Sequence, residues 1–297
     1  MSRYPILPLC LVVGCSSSKI TFDEDDTGTN NNASGDSQTD TNTTSETETD
    51  TTSETETETE TETETQPPIG DCSHPFNPVD QPGWERNYIS TFINDENGDD
   101  TAQTTEHSGS ATYTSQGLPA YSTYEETSVN GSETWSGLIY HICDETGGTT
   151  LAMAEWNMYI DYPPMKDGMQ VIMTASSPRV YLPDVSRIGS GDTWYFDYDL
   201  TALNSGQKGV PISIPVNGFY EELGMENIEV NGQSYYAWHI YSEYFMELTA
   251  LGVFTNDYDA VADYWWVEGI GLVKEVHIDT RTNAIILAKE LESTSGF

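Results

Sequence analysis

The hydrophobic positions of the chain fall into short segments that are rich in Tyr, Trp, Val, Ile and Thr and are separated by turn-forming residues. Aromatic and β-branched residues in such short runs are typical of strands, whereas helices show longer apolar stripes. Asn-Gly and Gly-Gly pairs favour tight hairpin turns, and they occur at 130–131, 147–148 and 231–232. The pattern predicts strands at 84–93, 134–142, 151–160, 169–174, 193–200, 227–230, 234–244, 264–267, 271–278 and 284–291.

One segment of the pattern is ambiguous. Residues 243–251 have the propensities of a helix, but they continue a strand-like run, and we expect a strand there. A single all-β domain of about 230 residues is of ordinary size. We therefore expect a mostly β fold, in which a disordered tether precedes a single antiparallel, strongly bent sheet that is half-barrel or barrel-like.

The N-terminal residues resemble the signal peptide of a bacterial lipoprotein. Arg3 supplies a positive charge, and a short apolar run follows at 4–13. This run falls well short of the roughly 20 apolar residues that a membrane-spanning helix needs. It leads into Val-Val-Gly-Cys at 12–15, which resembles the lipobox, so we expect Cys15 to carry diacylglycerol and acyl groups such as palmitate. The alternative is an ordinary secretory signal that happens to contain Cys15.

The segment after the signal peptide is expected to be an unfolded spacer. Residues 21–68 are mostly Asp, Asn, Ser and Thr, and then Thr and Glu in alternation. Such a composition buries too little apolar surface to offset chain entropy, which predicts a disordered, low-complexity acidic linker. A flexible chain of this length spans about 40 Å. We divide the sequence into a signal peptide at 1–14, a lipidated and disordered linker at 15–68, and a β-rich domain at 69–297.

Charge excludes one class of function. The chain has a formal net charge of −39, and only 15 of its 49 acidic residues lie in 21–68. The domain at 69–297 therefore keeps a formal charge of −26. Nucleic-acid binding depends on Lys and Arg neutralising phosphates, so we expect no nucleic-acid partner. An acidic domain repels anionic headgroups and attracts divalent or basic partners, although an acidic surface also suits a salty environment.

The cysteines indicate a disulfide. Cys10 leaves with the signal peptide and Cys15 takes the lipid, so Cys72 and Cys143 remain as an even pair in an exported, oxidising setting. Closing a loop of this length contributes roughly 4 kcal/mol in the chain-entropy description. A metal site is the weaker alternative, because neither cysteine belongs to a CxxC pair.

Motifs for catalysis are missing from the sequence. It contains no GxSxG, HExxH or CxxC, and its five histidines are scattered without ligand spacing. Carboxylates are so abundant that pairing any two as an acid and a nucleophile has no basis. We expect no enzymatic activity, no catalytic residues and no cofactor beyond the acyl groups on Cys15.

One loop has a calcium-like spacing of oxygens. Asp95, Asn97, Asp99 and Glu106 occupy positions 1, 3, 5 and 12 of an EF-hand-like loop. Asp100 stands where that loop needs a glycine for its sharp turn. Weak calcium binding is one hypothesis, and a solvated hairpin loop is the simpler alternative.

The C-terminal third resembles a group of bacterial envelope lipoproteins of unassigned function. The stretch from Tyr264 to Lys274 reads YWWVEGIGLVK, which is similar to their YWxxGxGLVK strand pair through Tyr264, Trp265, Gly269, Gly271 and Lys274. That group is distantly similar to the LolA, LolB and LppX half-barrel lipoproteins, whose concave face holds lipid. The resemblance implies a lipid-holding face, and core packing of the 18 Tyr and 7 Trp residues is the alternative.

These observations combine into one leading hypothesis. We expect a cell-envelope lipoprotein that is lipid-anchored in the outer membrane and displays a non-enzymatic β domain, which binds a hydrophobic or lipid ligand. Ser16, directly after the lipidated cysteine, is typical of lipoproteins sorted to the outer membrane. The alternative is a structural or adhesive surface lipoprotein that acts through its acidic, calcium-binding surface. Membrane lipid is the expected partner, and an envelope protein partner stays unidentified.

Overall fold

Antiparallel strands, joined mostly in the order in which they occur, make up the folded part of the chain. The computed structural model describes residues 72, 74–92, 100–114, 117–129, 132–143, 149–160, 169–175, 179–180, 182–204, 212–250 and 254–297. The strands are β1 (Glu85–Phe92), β2 (Asp100–Tyr113), β3 (Pro119–Val129), β4 (Ser132–Cys143), β5 (Thr149–Ile160), β6 (Met169–Ala175), β7 (Arg179–Val180), β8 (Thr193–Asn204), β9 (Ile212–Val230), β10 (Gln233–Ala250), β11 (Phe254–Val267), β12 (Gly271–Asp279) and β13 (Ala284–Ser295).

A single sheet contains all of these strands. Its order is β4-β3-β2-β1-β13-β12-β11-β10-β9-β8-β6-β5-β7, so the first and last strands of the chain, β1 and β13, are neighbours. β4 also pairs with β5, at the other end of this order. Each pairing in the order adds about 4.8 Å between strands, so in a flat sheet β4 and β5 would lie far apart. Their hydrogen bonding to each other requires the sheet to bend strongly. The predicted fold class, a single antiparallel and strongly bent sheet, is confirmed, whereas the predicted tether lies outside the described residues.

Most predicted strands are confirmed within a few residues. The predicted segments 227–230 and 264–267 are the final residues of the much longer β9 and β11. The ambiguous segment, residues 243–251, lies almost entirely in β10, which continues to Ala250. The turn at Asn231-Gly232 joins β9 to β10 with positive φ at both residues, whereas the other two predicted turns lie outside the described residues. β2, β3 and the two-residue β7 were not predicted.

Helical structure is scarce in the described residues. It consists of a 3-10 turn at Val185–Arg187. No helix in this part of the chain is long and apolar enough to cross a membrane.

The apolar core lies on the inner face of β8–β12. Trp194 and Phe196 contact Tyr220 with ring centroids 5.4 and 4.8 Å apart, and Tyr220 meets the edge of Tyr264 at 6.0 Å. Offset and edge-on ring pairs of this kind add about 0.5–1.5 kcal/mol each to the free energy of area burial. Trp238 is fully buried in the same cluster. These rings therefore pack mainly on one another.

Residues 74–84 pack against one end of this core before the first strand begins. Phe76 and His74 both lie against the Trp238 ring, with centroid distances of 5.2 and 6.4 Å. The backbone N–H of Gly269 donates to the carbonyl of Pro75 at 2.7 Å. The segment thus ties the start of the domain to β10 and to the turn between β11 and β12.

The β11–β12 turn explains the glycines of the YWWVEGIGLVK stretch. Gly269 and Gly271 have φ of 75° and 104°, a region that costs other residues about 1–2 kcal/mol. Beside them the register shifts between Trp265 and Trp266, which marks a bulge. The two glycines therefore form a tight bend between β11 and β12.

Replacing Gly271 with alanine is expected to lower the free energy of unfolding more than replacing Gly269. A Cβ at Gly271 would collide with the guanidinium of Arg86, which is buried and donates to the carbonyl of Ile270 at 3.2 Å. At Gly269 the added Cβ meets open space. Urea unfolding should show a loss of about 1 kcal/mol for Gly269→Ala and a loss at least twice as large for Gly271→Ala. Equal losses would show that Arg86 can move aside.

Candidate functional site

The residues predicted for lipidation and calcium binding fall mainly outside the described part of the chain. Cys15, Asp95, Asn97 and Asp99 all lie there. Neither acylation nor the calcium loop is tested by the structure, and both stay predictions. Glu106, the fourth calcium candidate, lies within β2.

Glu106 is held by two cations on neighbouring strands. Its carboxylate accepts from Arg86 of β1 at 3.1 Å and from Lys289 of β13 at 3.3 Å. The Arg86 and Lys289 side chains are only 4% and 9% exposed. A calcium ion at Glu106 would therefore compete with two buried cations for the same oxygens.

The predicted disulfide also stays a prediction. Cys72 is fully buried at the start of the described domain, and Cys143 is the last residue of β4. The side chain of Cys143 lies outside the described residues.

The Glu106 ion pairs belong to a larger buried network between the first and last strands. The Tyr88 hydroxyl donates to the carbonyl of Leu272 at 3.0 Å, and the Lys289 ammonium lies 4.2 Å from the centre of the Tyr88 ring. The Arg86 guanidinium lies 4.1 Å from the centre of the Trp84 ring. Both cations are thus enclosed by a carboxylate on one side and an aromatic face on the other.

Electrostatics keep the network ionised despite its burial. Burial by itself would raise the pKa of Glu106, but the charges of Arg86 and Lys289 hold that pKa below its ordinary value. Burial by itself would lower the pKa of Lys289, but Glu106 and then Glu125 raise that pKa above its ordinary value. Burial raises the pKa of Tyr88, so this phenol stays neutral as a hydrogen-bond donor.

The network continues into β3 and β4 through neutral groups. The hydroxyls of Thr104 and Thr127 are 2.9 Å apart, and the Thr123 hydroxyl is 3.1 Å from His141 Nε2. Burial, followed by the charge of Arg86, lowers the pKa of His141 to about 4. His141 is therefore an uncharged imidazole at neutral pH.

A second arm of buried polar groups runs along β12. Glu275 and His277, two residues apart on the same strand, are joined by a short hydrogen bond. His277 Nδ1 lies 2.8 Å from the Tyr244 hydroxyl, and its ring meets the edge of Tyr264. This arm links the charged network to the aromatic core.

These interior groups act as cross-links between strands. Each ionisable side chain of the network has a partner of opposite charge, a hydrogen bond or a ring contact, which is the condition for tolerable burial of charge. Among the described residues, no three His, Cys, Asp or Glu side chains are arranged to hold a metal ion. Arg86 and Lys289 were not predicted as interior residues, although each alternates along its strand with inward-facing apolar residues.

The outer face of β8–β11 has a different character. Tyr195, Phe219 and Tyr241 follow one another across β8, β9 and β10, with ring centroids 6.2 and 6.3 Å apart. Tyr195 is 77% exposed. Phe219 and Tyr241 are half-buried, and a row of rings that reaches the surface in this way is typical of interaction surfaces.

His239 marks one border of this outer face. Its two ring nitrogens lie 2.9 Å from Glu226 and 2.8 Å from Asp263, and its ring stacks on Trp265 at 4.6 Å. Lys274 lies 5.7 Å from the centre of the Trp265 ring and pairs with a carboxylate of β13. Two residues of the YWWVEGIGLVK stretch, Trp265 and Lys274, thus stabilise the surface.

A groove of about 490 Å³ lies next to the row of rings. It crosses β9, β10 and β11, and its volume is in the range of small-ligand sites. Phe219, Phe245, Glu243 and Asp259 are among the residues that line it. Gly218 also lines the groove. On the inner side of the sheet, a Cβ at this position would collide with Phe196 and the neighbouring strand.

Comparisons with known proteins bear on the fold. No protein-family model matches the chain, and it matches no curated protein. A solved structure from Bacteroides fragilis, described as a protein inferred to be exported and to have a YmcC-like fold, is 16% identical, with 73% of this chain and 97% of that chain covered and a TM-score of 0.50. A second, from Parabacteroides distasonis and described as an inferred lipoprotein, is 10% identical, with 73% and 98% covered and a TM-score of 0.47. The chain therefore shares its fold with the Bacteroides fragilis protein of YmcC-like fold.

Proposed function

We propose that this chain is a bacterial cell-envelope lipoprotein, acylated at Cys15, that carries a non-enzymatic binding domain on an acidic tether. The lipobox-like residues at 12–15 support the anchor. The description of the Bacteroides fragilis neighbour as exported is in keeping with an envelope location. Ser16 supports the outer membrane as the final site.

The contrast between the two faces of the sheet carries the binding assignment. Inside, the charged groups around Glu106 are used up in pairing with one another. Outside, Phe219 lines a groove large enough for a ligand together with Glu243 and Asp259, and the exposed ring of Tyr195 lies next to Phe219. A ligand site needs polar groups that remain available to the ligand, and the exposed carboxylates of Glu243 and Asp259 on the outer face meet this need.

A lipid bound inside the sheet has less support than a ligand bound in the outer groove. The inward-facing rings of Trp194, Phe196 and Tyr220 are at most 6% exposed and contact one another. Charged side chains line the neighbouring part of the interior. Rings in this state favour core packing, and an acyl chain next to buried ions would be poorly matched.

Metabolic labelling with an alkyne-bearing palmitate tests the anchor. Wild-type protein should incorporate the label and fractionate with membranes, because several acyl chains together anchor stably. Cys15→Ser should abolish labelling, since the acylated sulfur is gone.

Cys10→Ser is the matched control for this experiment. It removes the other cysteine of the signal segment and should leave the labelling unchanged. Equal labelling of wild type and Cys15→Ser, or an unlabelled wild type, would overturn the proposed anchor.

A further inference from the structure

The pairing of β8 to β11 places aromatic rings and carboxylates side by side on the surface around the outer groove. Across β9 to β11, Glu221 faces Tyr241, and Tyr241 faces Asp263. One step along the sheet, Tyr195 faces Phe219, and Phe219 faces Glu243. In the third row Asp197 faces Asn217, and Phe245 lies between Asn217 and Asp259.

Facing residues in antiparallel strands have Cβ atoms about 5 Å apart. The three rows therefore bring four aromatic rings and five carboxylates onto one surface. None of the residues in these rows is basic. Of the five carboxylates, Asp263 has a basic partner, His239, within the described part of the chain.

The electrostatic potential of this surface is strongly negative. Besides burial, the carboxylates of Glu243, Asp263 and Glu221 raise the pKa of Tyr241. Arg281 is the described basic residue beside the groove, next to the lining residue Thr280. Its guanidinium is 3.6 Å from Asp279 and 5.9 Å from the centre of the Tyr258 ring, so it is directed to its own strand end.

The protein's own cations show how it binds positive charge. Arg86, Lys274, Arg281 and Lys289 each lie over an aromatic ring, at 4.1 to 5.9 Å from its centre. Each also has a carboxylate partner. The groove presents the same two elements, a ring and a carboxylate, without a basic side chain between them.

We propose that the groove lined by Phe219, Phe245, Glu243 and Asp259 binds the guanidinium or ammonium group of a basic ligand. The rings supply a cation–π surface, and the carboxylates supply charge and hydrogen-bond acceptors. An anionic ligand would meet repulsion from every neighbouring carboxylate, and a neutral one would leave those carboxylates unpaired. The inference rests on the proposed role of the domain as a binding module, and it is independent of the anchor at Cys15.

The test uses the full chain in mild detergent and two probes that differ in charge. N-acetyl-arginine amide carries the guanidinium, and N-acetyl-citrulline amide is its neutral isostere. In an NMR titration the arginine probe should shift the backbone amides of Gly218 and Ala260, which line the groove. Its Kd should be at least about tenfold lower than that of the citrulline probe, since a tenfold ratio corresponds to about 1.4 kcal/mol.

Paired substitutions locate the site. Glu243→Gln combined with Asp259→Asn should raise the Kd for the arginine probe at least tenfold, and so should Phe219→Ala. The matched control is Glu229→Gln combined with Glu292→Gln, which removes two exposed carboxylates from β9 and β13 and should leave the Kd within about twofold, because distant exposed charges are screened.

Three results would overturn the proposal. They are equal affinity for both probes, equal weakening by the control pair, and the lack of saturable binding of the arginine probe. A negative result in the binding test does not bear on palmitate labelling at Cys15, so the groove and the anchor are tested independently.

Discussion

Lys289→Met is expected to lower the free energy of unfolding by about 2–3 kcal/mol, because the buried Glu106 carboxylate loses one of its two cations and keeps only Arg86. Methionine keeps most of the length of the lysine side chain, so the cavity cost is small. What is lost is the charge that pairs with Glu106 at 3.3 Å and lies over the Tyr88 ring. Urea unfolding monitored by tryptophan fluorescence measures the loss.

Lys274→Met is the matched control for this substitution. Lys274 lies on the neighbouring strand β12 and pairs with Glu290 at 2.8 Å, but its side chain is 27% exposed. A pair open to solvent is worth about 1 kcal/mol or less, so this substitution should cost far less than Lys289→Met. Similar losses from both would show that burial adds nothing to the Glu106 pairing.

A double variant separates charge from packing. In a double-mutant cycle of Lys289→Met and Glu106→Gln, the combined loss should be smaller than the sum of the two single losses, because both substitutions remove the same ion pair. Additive losses would mean that the Lys289 stem, packed on Tyr88, accounts for its effect.

The same buried charges explain which strands the sequence could reveal. β8 to β13 bury aromatic and aliphatic side chains at alternate positions, and their pattern predicts strands directly. β2 and β3 bury Ala102, Thr104 and Thr127 and place Glu106 inside, so their inward positions look polar. A strand whose inner face meets a charged interior lacks the hydrophobic alternation on which the prediction depends.

The candidate sites were less predictable than the fold for a related reason. Glu106 looked like a loop ligand in the sequence because its partners lie on other strands, Arg86 on β1 and Lys289 on β13. Only the pairing of β1 with both β2 and β13 brings the three together. The outer groove depends in the same way on register across β8–β11, which no local motif encodes. By contrast, Gly269 and Gly271 act within one turn, and their role was predictable from the local sequence.

His141 is expected to make stability fall as the pH drops from 7.5 to 5. The folded pKa of about 4 lies below the ordinary value of 6.5, so between these values the unfolded chain binds more protons than the folded one. Protons therefore favour unfolding in this window, and the two pKa values give a loss of about 2 kcal/mol by pH 5. Below about pH 4 both states are protonated and the loss stays constant.

Urea unfolding of wild type and His141→Gln between pH 7.5 and 5 isolates this contribution. The Gln amide can still hydrogen-bond to Thr123, and the variant should lose about 2 kcal/mol less than wild type over that range. The lowered pKa of Glu106 also destabilises at acid pH, but its effect begins below its ordinary value of 4.5, outside the window. His107→Gln, which removes a histidine that is 39% exposed, should retain the wild-type pH dependence. An unchanged pH dependence in His141→Gln would mean that burial and Arg86 do not lower the pKa of this imidazole in the folded protein.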